Sequence, residues 1–341
     1  MKKLLTIIVA ATLLVSCGTN KSSEPVSSVE TSSNAAEASN TSSSEGVKEY
    51  DRSKLSIISP TGAPALAFYQ YGSNSKFETN SDPATGIIPL MVGGKKDVVV
   101  LPTNAGMQAI IGKKAEYKIA ATISFGNFYL VSMGNDANNQ IGADDNIVLF
   151  QKGNVPDKIF HYVYGDTLNA GIHYLPAVSD AATAAISGSY VDPDTGTNMT
   201  PNYVLLAQPV LTNVKNKNAN VTVYADIQAE YKKKSNNLKL FQASVFVKNS
   251  VAKETADAFL ASLKADVDAA IKTPEIISEK IGSMENAAEV YGVNPTLAVN
   301  VTKNNNGMGL GFEYAKDNKD AIANFLKLFN IEGYSEEVYY Q

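Results

Sequence analysis

The sequence predicts an α/β protein with two similar lobes, each a mainly parallel sheet flanked by helices. Three observations support this fold class. Short buried strands are repeatedly followed by a tight loop and a helix, and the turn Asp-Pro-x-Thr-Gly occurs twice, at residues 82–86 and 192–196. Two extended apolar segments are also placed to carry the chain between the lobes. The fold class therefore includes two interlobe crossings.

The first predicted unit is a strand at residues 54–58, a loop at 59–64 and a helix at 65–71. Pro64 suits the start of a helix, where its missing N–H group costs nothing. The loop before it leaves free backbone N–H groups at the start of the helix, where a ligand can bind them.

The second predicted unit is a strand at residues 97–101, followed by Pro102, Thr103 and Asn104 and a helix at 105–111. A continuous run of valine and leucine bounded by turns is typical of a parallel strand that is covered on both faces.

The second half is predicted to repeat this pattern. A strand at residues 158–164 is expected to end in Gly165, Asp166 and Thr167, and another at 203–206 ends in a loop that contains Gln208. Ligands bind at the carboxyl ends of the strands in such sheets. These loops are therefore candidates for a binding crevice.

The two extended segments at residues 127–132 and 242–247 are interpreted as the crossings between lobes. Helical spacing of apolar residues then predicts helices at 253–271, around 275–291 and at 319–329. A chain that leaves one lobe, builds the second and returns has two hinges, so the lobes can close on each other.

The N-terminus predicts a membrane anchor. Lys2 and Lys3 precede an apolar stretch that is too short to span a bilayer, and Leu14-Val15-Ser16 leads directly to Cys17, the single cysteine of the chain. We expect cleavage of residues 1–16 and attachment of acyl chains such as palmitate to Cys17, which anchor a protein stably when two are present. The alternative is an ordinary secretory signal with a chance cysteine. Residues 17–48 are Ser-rich and predict a disordered tether.

Several segments resemble the solute-binding lipoproteins of ATP-binding-cassette (ABC) importers, in the broad nitrate, sulfonate, taurine and thiamine-precursor superfamily. The matching segments are residues 60–67, 100–104, 126–130, 246–247 and the acidic and aromatic ending at 335–340. The resemblance implies the type II periplasmic-binding-protein fold. It implies lobe I at residues 49–129 plus 246–341 and lobe II at 130–245. Its implied partners are a small-molecule solute and the importer's permease and ATPase.

The resemblance also implies the site residues, because the ligand of such proteins lies between the lobes. Carried over by position, the ligand-binding residues are Thr61, Gly62, Ala63, Thr103, Asn104, Asn127, Gly165, Asp166, Thr167 and Gln208. Relatives often have an acidic residue where this chain has Gln208, and the loop at 165–167 has fewer glycines than usual. Both departures leave the identity of the solute open.

Charge and arginine content narrow the choice of ligand. The formal net charge of −5 argues against nucleic acid or an anionic membrane surface as a partner, so the membrane is contacted through the lipid anchor alone. The single arginine, Arg52, lies outside the predicted crevice loops, and planar anions are most often bound by an arginine fork. The favoured solute is therefore neutral or weakly charged, although lysine and helix N-termini also bind anions.

Two other functional classes compete with solute binding. An enzyme related to the pyrimidine-precursor synthase of the same fold is disfavoured, because that enzyme uses a cysteine-rich motif. His161 and His173 lack metal-ligand spacing, and Asp192, Asp194 and Asn198 match a calcium loop less well than a hairpin turn. No enzyme activity, cofactor or metal is predicted. The second alternative is a surface adhesin or structural lipoprotein.

We expect a monomer on the outer face of the cytoplasmic membrane, or in the periplasm of a Gram-negative cell.

Overall fold

The computed structural model describes residues 50–134, 140–165 and 168–341. The strands of this part are β1 (Ile57–Pro60), β2 (Phe77–Asn80), β3 (Val98–Pro102), β4 (Tyr117–Ser124), β5 (Phe128–Met133), β6 (Asn146–Phe150), β7 (Gly171–Leu175), β8 (Tyr190–Val191), β9 (Asn198–Met199), β10 (Tyr203–Ala207), β11 (Val221–Asp226), β12 (Ala243–Lys248) and β13 (Leu310–Tyr314).

The helices are α1 (Ala63–Leu66), α2 (Ile88–Val92), α3 (Thr103–Lys113), α4 (Val155–Tyr164), α5 (Val178–Ser187), α6 (Val210–Lys217), α7 (Ile227–Lys234), α8 (Lys253–Lys272), α9 (Glu275–Ile281), α10 (Ala287–Tyr291), α11 (Pro295–Lys303) and α12 (Lys319–Lys327). Short helical turns of other types cover Tyr69–Tyr71, Pro83–Ile87, Ala315–Asp317 and Glu336–Val338.

Two sheets that share one order over five strands form the framework, and β13 is an extra edge strand of the larger sheet. The larger sheet has the order β13-β4-β12-β3-β1-β2, and the smaller has β11-β5-β10-β6-β7. In each, three neighbouring strands are parallel, the next is antiparallel, and the one after it is again antiparallel to its neighbour. Most strands of each sheet therefore run in one direction. The predicted α/β fold class, with two mainly parallel sheets flanked by helices, is confirmed.

The apolar runs form strands where the sequence predicted them. Strands β1, β3 and β10 are almost entirely buried, since helices cover the sheets on both faces. Helix α8 buries the predicted stripe of Ala256, Phe259, Leu260, Leu263 and Val267 against the larger sheet. These long periodic segments carry the strongest sequence signal, because burial on one or both faces determines their pattern.

One predicted strand is wrong. Residues 158–164 belong to α4, whose first turn contains Pro156 and Asp157. Val155, Ile159 and Phe160 are buried, which is helical spacing. The aromatic and β-branched composition of the segment suggested a strand, but the proline near its start is a helix signal. The strand of this unit is β6, which lies earlier in the chain.

The two predicted crossing segments are largely strands of the sheets they enter. The chain leaves the larger sheet after β4 and enters β5, so residues 125–127 make the first connection. It returns between α7 and β12, through residues 235–242. Strand β5 lies between β10 and β11, and β12 lies between β3 and β4. The predicted lobe boundaries stay a prediction.

The two Asp-Pro-x-Thr-Gly turns differ in structure. Pro83–Ile87 is a helical turn that precedes α2, and Asp82 accepts hydrogen bonds from the N–H groups of Ala84 and Thr85. The second turn joins β8 and β9 as a hairpin, as predicted. In the described part of the chain, no helix is long and apolar enough to cross a membrane. The predicted signal peptide, tether and Cys17 lie outside the described residues.

Two glycines of α3 provide a matched test of core packing. A Cβ atom at Gly106 would lie 2.1 Å from the Phe246 ring, whereas a Cβ atom at Gly112 would meet nothing within 4 Å. We expect Gly106→Ala to lower the free energy of unfolding by about 1 to 3 kcal/mol through overpacking. Gly112→Ala should raise it by about 0.5 to 1 kcal/mol, because alanine is the better helix former. Urea unfolding of both variants measures the difference, and equal stabilities would contradict the packing of α3 on β12.

Candidate functional site

The crossings lie at the carboxyl ends of the parallel strands in both sheets. Ala243 at the start of β12 pairs with Ser124 at the end of β4, and Phe128 at the start of β5 pairs with Ala207 at the end of β10. The loops after β1, β3, β6 and β10 therefore lie at the same sheet edges as the connections. Ligand crevices of open α/β sheets form at such edges.

Asn127 is the centre of a hydrogen-bond network between the two crossings. Its Nδ2 donates to the carbonyl of Gln208 at 2.7 Å, and its Oδ1 accepts from Gln242 Nε2 at 3.2 Å. The N–H of Gln208 donates to the carbonyl of Asn127 at 2.9 Å, and the N–H of Thr103 donates to the carbonyl of Gln242 at 3.1 Å. The structure thus brings together Thr103, Asn127 and Gln208, three of the residues predicted from sequence.

Gln242 holds these residues together, and the sequence did not assign it to the site. Its own N–H donates to the carbonyl of Ser124 at 3.0 Å, and its Oε1 accepts from Ser124 Oγ at 3.3 Å. Gln242 stands at the start of a predicted crossing, and this position could have indicated that it lies near the site. Its partners are distant in sequence, so no local pattern indicated the contacts.

The side chain of Thr103 serves the interior of the larger sheet. Its Oγ1 lies 2.7 Å from Ser244 Oγ, which lies 2.9 Å from Thr122 Oγ1. All three residues are fully buried. The Thr103 hydroxyl therefore satisfies a buried chain of hydroxyl groups.

Asn104 differs from Asn127 because its amide oxygen is unsatisfied. The residue lies in the first turn of α3 and is 6% exposed. Its Oδ1 is buried and has no hydrogen-bond partner among the described residues. A buried acceptor without a donor costs about 1 to 3 kcal/mol, so Asn104 is the predicted residue with the clearest unused capacity for a hydrogen bond.

Thr61, Gly62 and Ala63 lie further along the same edge, at the loop after β1 and the start of α1. Gly62 has φ +91° and donates its N–H to the carbonyl of Tyr291 at 2.8 Å. Thr61 lines a cavity of about 460 Å³ with Phe77, Glu78, Thr79, Asn80, Ser81, Asn286, Glu289 and Val290. Asn104, Asn127 and Gln208 do not line this cavity.

Gly165 does not join the other predicted residues. It ends α4 with φ +84° and donates its N–H to the carbonyl of His161 at 2.8 Å. Because α4 connects the carboxyl end of β6 to the start of the parallel strand β7, its last turn lies at the opposite sheet edge from Gln208. Asp166 and Thr167 lie outside the described residues.

The loop after β6 occupies the position in the smaller sheet that the Thr61 loop has in the larger sheet. It comprises residues 151–154 and was missed because the strand was predicted too late in the chain. Buried Asp157 accepts hydrogen bonds from the N–H of Gly153 at 2.8 Å and from the hydroxyl of Tyr174 at 2.9 Å. Burial, followed by the bond to Asp157, raises the pKa of Tyr174, so its hydroxyl stays protonated as a donor. Lys152 lies over the Tyr174 ring at 4.8 Å.

Arg52 and His173, away from this edge, each pair with an acidic residue. Arg52 donates from Nε and Nη2 to the Asp266 carboxylate, with the shortest contact at 2.8 Å, and the guanidinium lies 5.9 Å from the Tyr71 ring centre. His173 Nδ1 lies 2.6 Å from Asp192 Oδ2, and this bond is the main cause of the lowered pKa of Asp192.

His161 lies 3.0 Å from the Tyr174 hydroxyl and 3.3 Å from Asp157. Within the described ranges, no group of three or more histidine, cysteine or acidic side chains is placed to hold a metal ion.

The fold matches known proteins by structure, although the sequence does not. No protein-family model and no curated protein matches the sequence. Among solved structures, an ABC transporter protein from Parabacteroides distasonis matches with a TM-score of 0.61 and 18% identity, over 80% of this chain and 91% of that chain. The periplasmic aliphatic sulphonate binding protein SsuA from Escherichia coli matches with 0.57 and 13% identity, over 80% and 85%.

The ligand-binding component of an ABC-type import system from Staphylococcus aureus, solved with zinc bound, has a TM-score of 0.56. It shares 8% identity, over 84% of this chain and 95% of that chain. The chain thus has the fold of the periplasmic binding proteins. The resemblance stated from sequence is confirmed at the level of fold.

Replacement by alanine should change the free energy of unfolding differently at Asn127 and at Asn104. Asn127→Ala removes two hydrogen bonds and leaves the Gln208 carbonyl and Gln242 Nε2 unpaired, so we expect a loss of about 1 to 3 kcal/mol in the free energy of unfolding. Asn104→Ala removes an unsatisfied acceptor and should cost less, or stabilise the ligand-free protein. Chemical denaturation measures both, and a larger loss for Asn104→Ala would refute this assignment of roles.

Proposed function

We propose that the protein is the extracytoplasmic, lipid-anchored solute-binding component of an ABC importer. One observation carries the proposal. Two sheets of the same order are joined by two connections, and both connections lie at the sheet edges where ligands bind in this class of fold. The names of the structural neighbours, which include import and periplasmic binding proteins, agree with this function.

The mechanism follows from the two connections. Residues 125–127 form a short first connection, so rotation of one half relative to the other is concentrated in few backbone torsions. A solute that contacts both halves binds the closed form more tightly than the open form and shifts the population towards closure. In this proposal the halves are lobe I, residues 49–129 plus 246–341, and lobe II, residues 130–245.

The proposed solute is small and neutral or weakly charged. Arg52, which would offer the fork that planar anions favour, is paired with Asp266. The side chains that line the cavity at Thr61 carry hydroxyl, amide and carboxylate groups, with Phe77 and Val290 as its apolar members. Outside this cavity, at the start of α3, Asn104 offers a second acceptor that no described residue uses. Such groups suit a solute with several N–H or O–H donors.

The proposed partners follow from the role. A permease would dock on the outer faces of both lobes and receive the solute, and its cytoplasmic ATPase would supply the energy. The protein would act as a monomer by binding alone, without a chemical step or a cofactor. Acyl chains on Cys17 would hold it to the membrane, on the outer face of the cytoplasmic membrane or in a Gram-negative periplasm.

A nutrient screen tests the proposed binding. A solute at a hundredfold excess over its Kd should stabilise the protein by about 2.7 kcal/mol, which a thermal-shift assay detects easily. Calorimetry should then show that Asn104→Ala weakens binding of the hit by about 1 to 3 kcal/mol while the melting temperature without ligand changes little. Lys114→Ala, at the other end of α3, is the control and should bind normally.

The opposite result favours the surface-adhesin or structural-lipoprotein alternative. No stabilisation by a broad nutrient panel, together with saturable binding to a cell-wall or host protein, would contradict the importer proposal. Unaltered affinity in Asn104→Ala would remove that residue from the site without removing the function.

The anchor is tested separately. Cys17→Ala should abolish incorporation of labelled palmitate and move the protein from the membrane fraction to the soluble fraction, because this one residue carries all the acyl chains. Solute affinity should be unchanged. Retention of the variant in the membrane fraction would contradict lipidation at Cys17.

A further inference from the structure

The turn between α11 and β13, residues 304–309, contains the only Asn-Gly pair of the chain, Asn306-Gly307. Asparagine is chemically labile, and a following glycine makes it most so, because glycine has no side chain to shield its backbone nitrogen. That nitrogen can attack the side-chain carbonyl carbon, Asn306 Cγ, without an enzyme. The turn therefore contains a candidate modification site, and its hydrogen bonds decide when the attack can occur.

Both ends of the Asn306 amide are bound by one residue. Its Nδ2 donates to the carbonyl of Leu310 at 2.6 Å, and its Oδ1 accepts from the N–H of Leu310 at 3.2 Å. The donor and the acceptor of Leu310 together fix which end of the amide is the nitrogen. Asn306 Cγ is therefore held at the start of β13.

The attacking nitrogen is engaged as well. Gly307 is buried, and its N–H donates to the carbonyl of Val301 at 3.0 Å and to that of Asn304 at 3.1 Å. A Cβ atom at this position would lie 3.1 Å from Val301 Cγ1, so the site is cramped for any larger residue. The nitrogen must release both carbonyls before it can bond to Asn306 Cγ.

The turn is also held against the first connection. The carbonyl of Gly309 accepts from the N–H of Phe125 at 2.8 Å, and the N–H of Gly309 donates to the carbonyl of Asn306 at 2.7 Å. A Cβ atom at Gly309 would lie 2.1 Å from the carbonyl oxygen of Gly126. Close contact with residues 125–126 therefore helps to keep the turn closed.

We propose that Asn306 is a modification site whose reactivity is controlled by opening of this turn. In the open turn the Gly307 nitrogen loses its proton and bonds to Asn306 Cγ, ammonia leaves, and a five-membered succinimide forms. Water then cleaves either carbonyl–nitrogen bond of the ring and leaves aspartate or isoaspartate. The reaction consumes one water and releases one ammonia, so it needs no other reactant.

The modified turn cannot close as before. An aspartate places a carboxylate oxygen where Nδ2 donates to the Leu310 carbonyl, so two acceptors face each other. Isoaspartate also adds a carbon atom to the main chain before β13. Each chain that reacts while open is therefore marked irreversibly beside the first connection. The inference does not depend on the proposed function, so its failure leaves the importer proposal untouched.

Peptide mass mapping measures the control by the turn. The full chain is incubated in mildly alkaline buffer, folded in one sample and unfolded by urea in another. Conversion of Asn306 to aspartate and isoaspartate should be at least about tenfold slower in the folded sample, because the hydrogen bonds of the turn must open first. Equal rates in the two samples, or no conversion in urea, would overturn the proposal.

Two glycine variants test the contact with the first connection. Gly309 and Gly333 have φ of +66° and +68°, so alanine strains the backbone similarly at both. A Cβ atom meets the Gly126 carbonyl at the first position and nothing within 4 Å at the second. In folded protein, Gly309→Ala should convert Asn306 about tenfold faster, and Gly333→Ala should keep the original rate. Equal rates in the two variants contradict the role of the contact. If Gly309→Ala does not fold, the comparison of folded and urea-treated protein decides.

The effect of the modification is tested with two aspartate variants. Asn306→Asp should lower the melting temperature by about 2 to 6 °C, because it loses the bond to the Leu310 carbonyl. Asn305→Asp is the control, since the Asn305 side chain is exposed, and it should melt as the original protein does. Equal melting temperatures of the two variants would overturn the inferred effect on the turn.

Discussion

The amide of Asn127 joins the two connections that link the sheets. One end of the amide donates to the loop after β10, and the other accepts from Gln242 at the return of the chain. Gln242 in turn holds the end of β4 and the start of α3 through its backbone. Both connections and one loop from each sheet thus meet in a partly buried polar network. Such networks fix one arrangement, because any displacement leaves a buried group unpaired.

The sequence was sufficient for the framework and insufficient for the site. Continuous apolar runs identified β1, β3 and β10, and the periodic stripe identified α8, since burial determines these patterns directly. The α4 segment was mistaken for a strand, because its tyrosines and isoleucine suit a sheet as well as a buried helix face. That error displaced the candidate loop of the smaller sheet from residues 151–154 to 165–167.

The candidate site residues, like the framework, were predictable only in part. Their positions were carried over from the family resemblance, and the structure brings Thr103, Asn127 and Gln208 together. What each side chain does depends on partners far along the chain, such as Ser244 for Thr103 and Gln242 for Asn127. No local pattern records these partners. The Asn104 oxygen, unsatisfied within the described chain, became visible once the interior was packed.

The position of β12 also has a consequence for folding during synthesis. This strand fills the gap between β3 and β4, although it follows β4 by more than a hundred residues in the sequence. A nascent chain that has just released β4 therefore carries two exposed strand edges in its first sheet, and these stay open until the second sheet has emerged. Contacts so distant in sequence form slowly, and open edges invite aggregation. The chain gains from remaining unfolded, or held by a chaperone, until nearly all of it has left the ribosome.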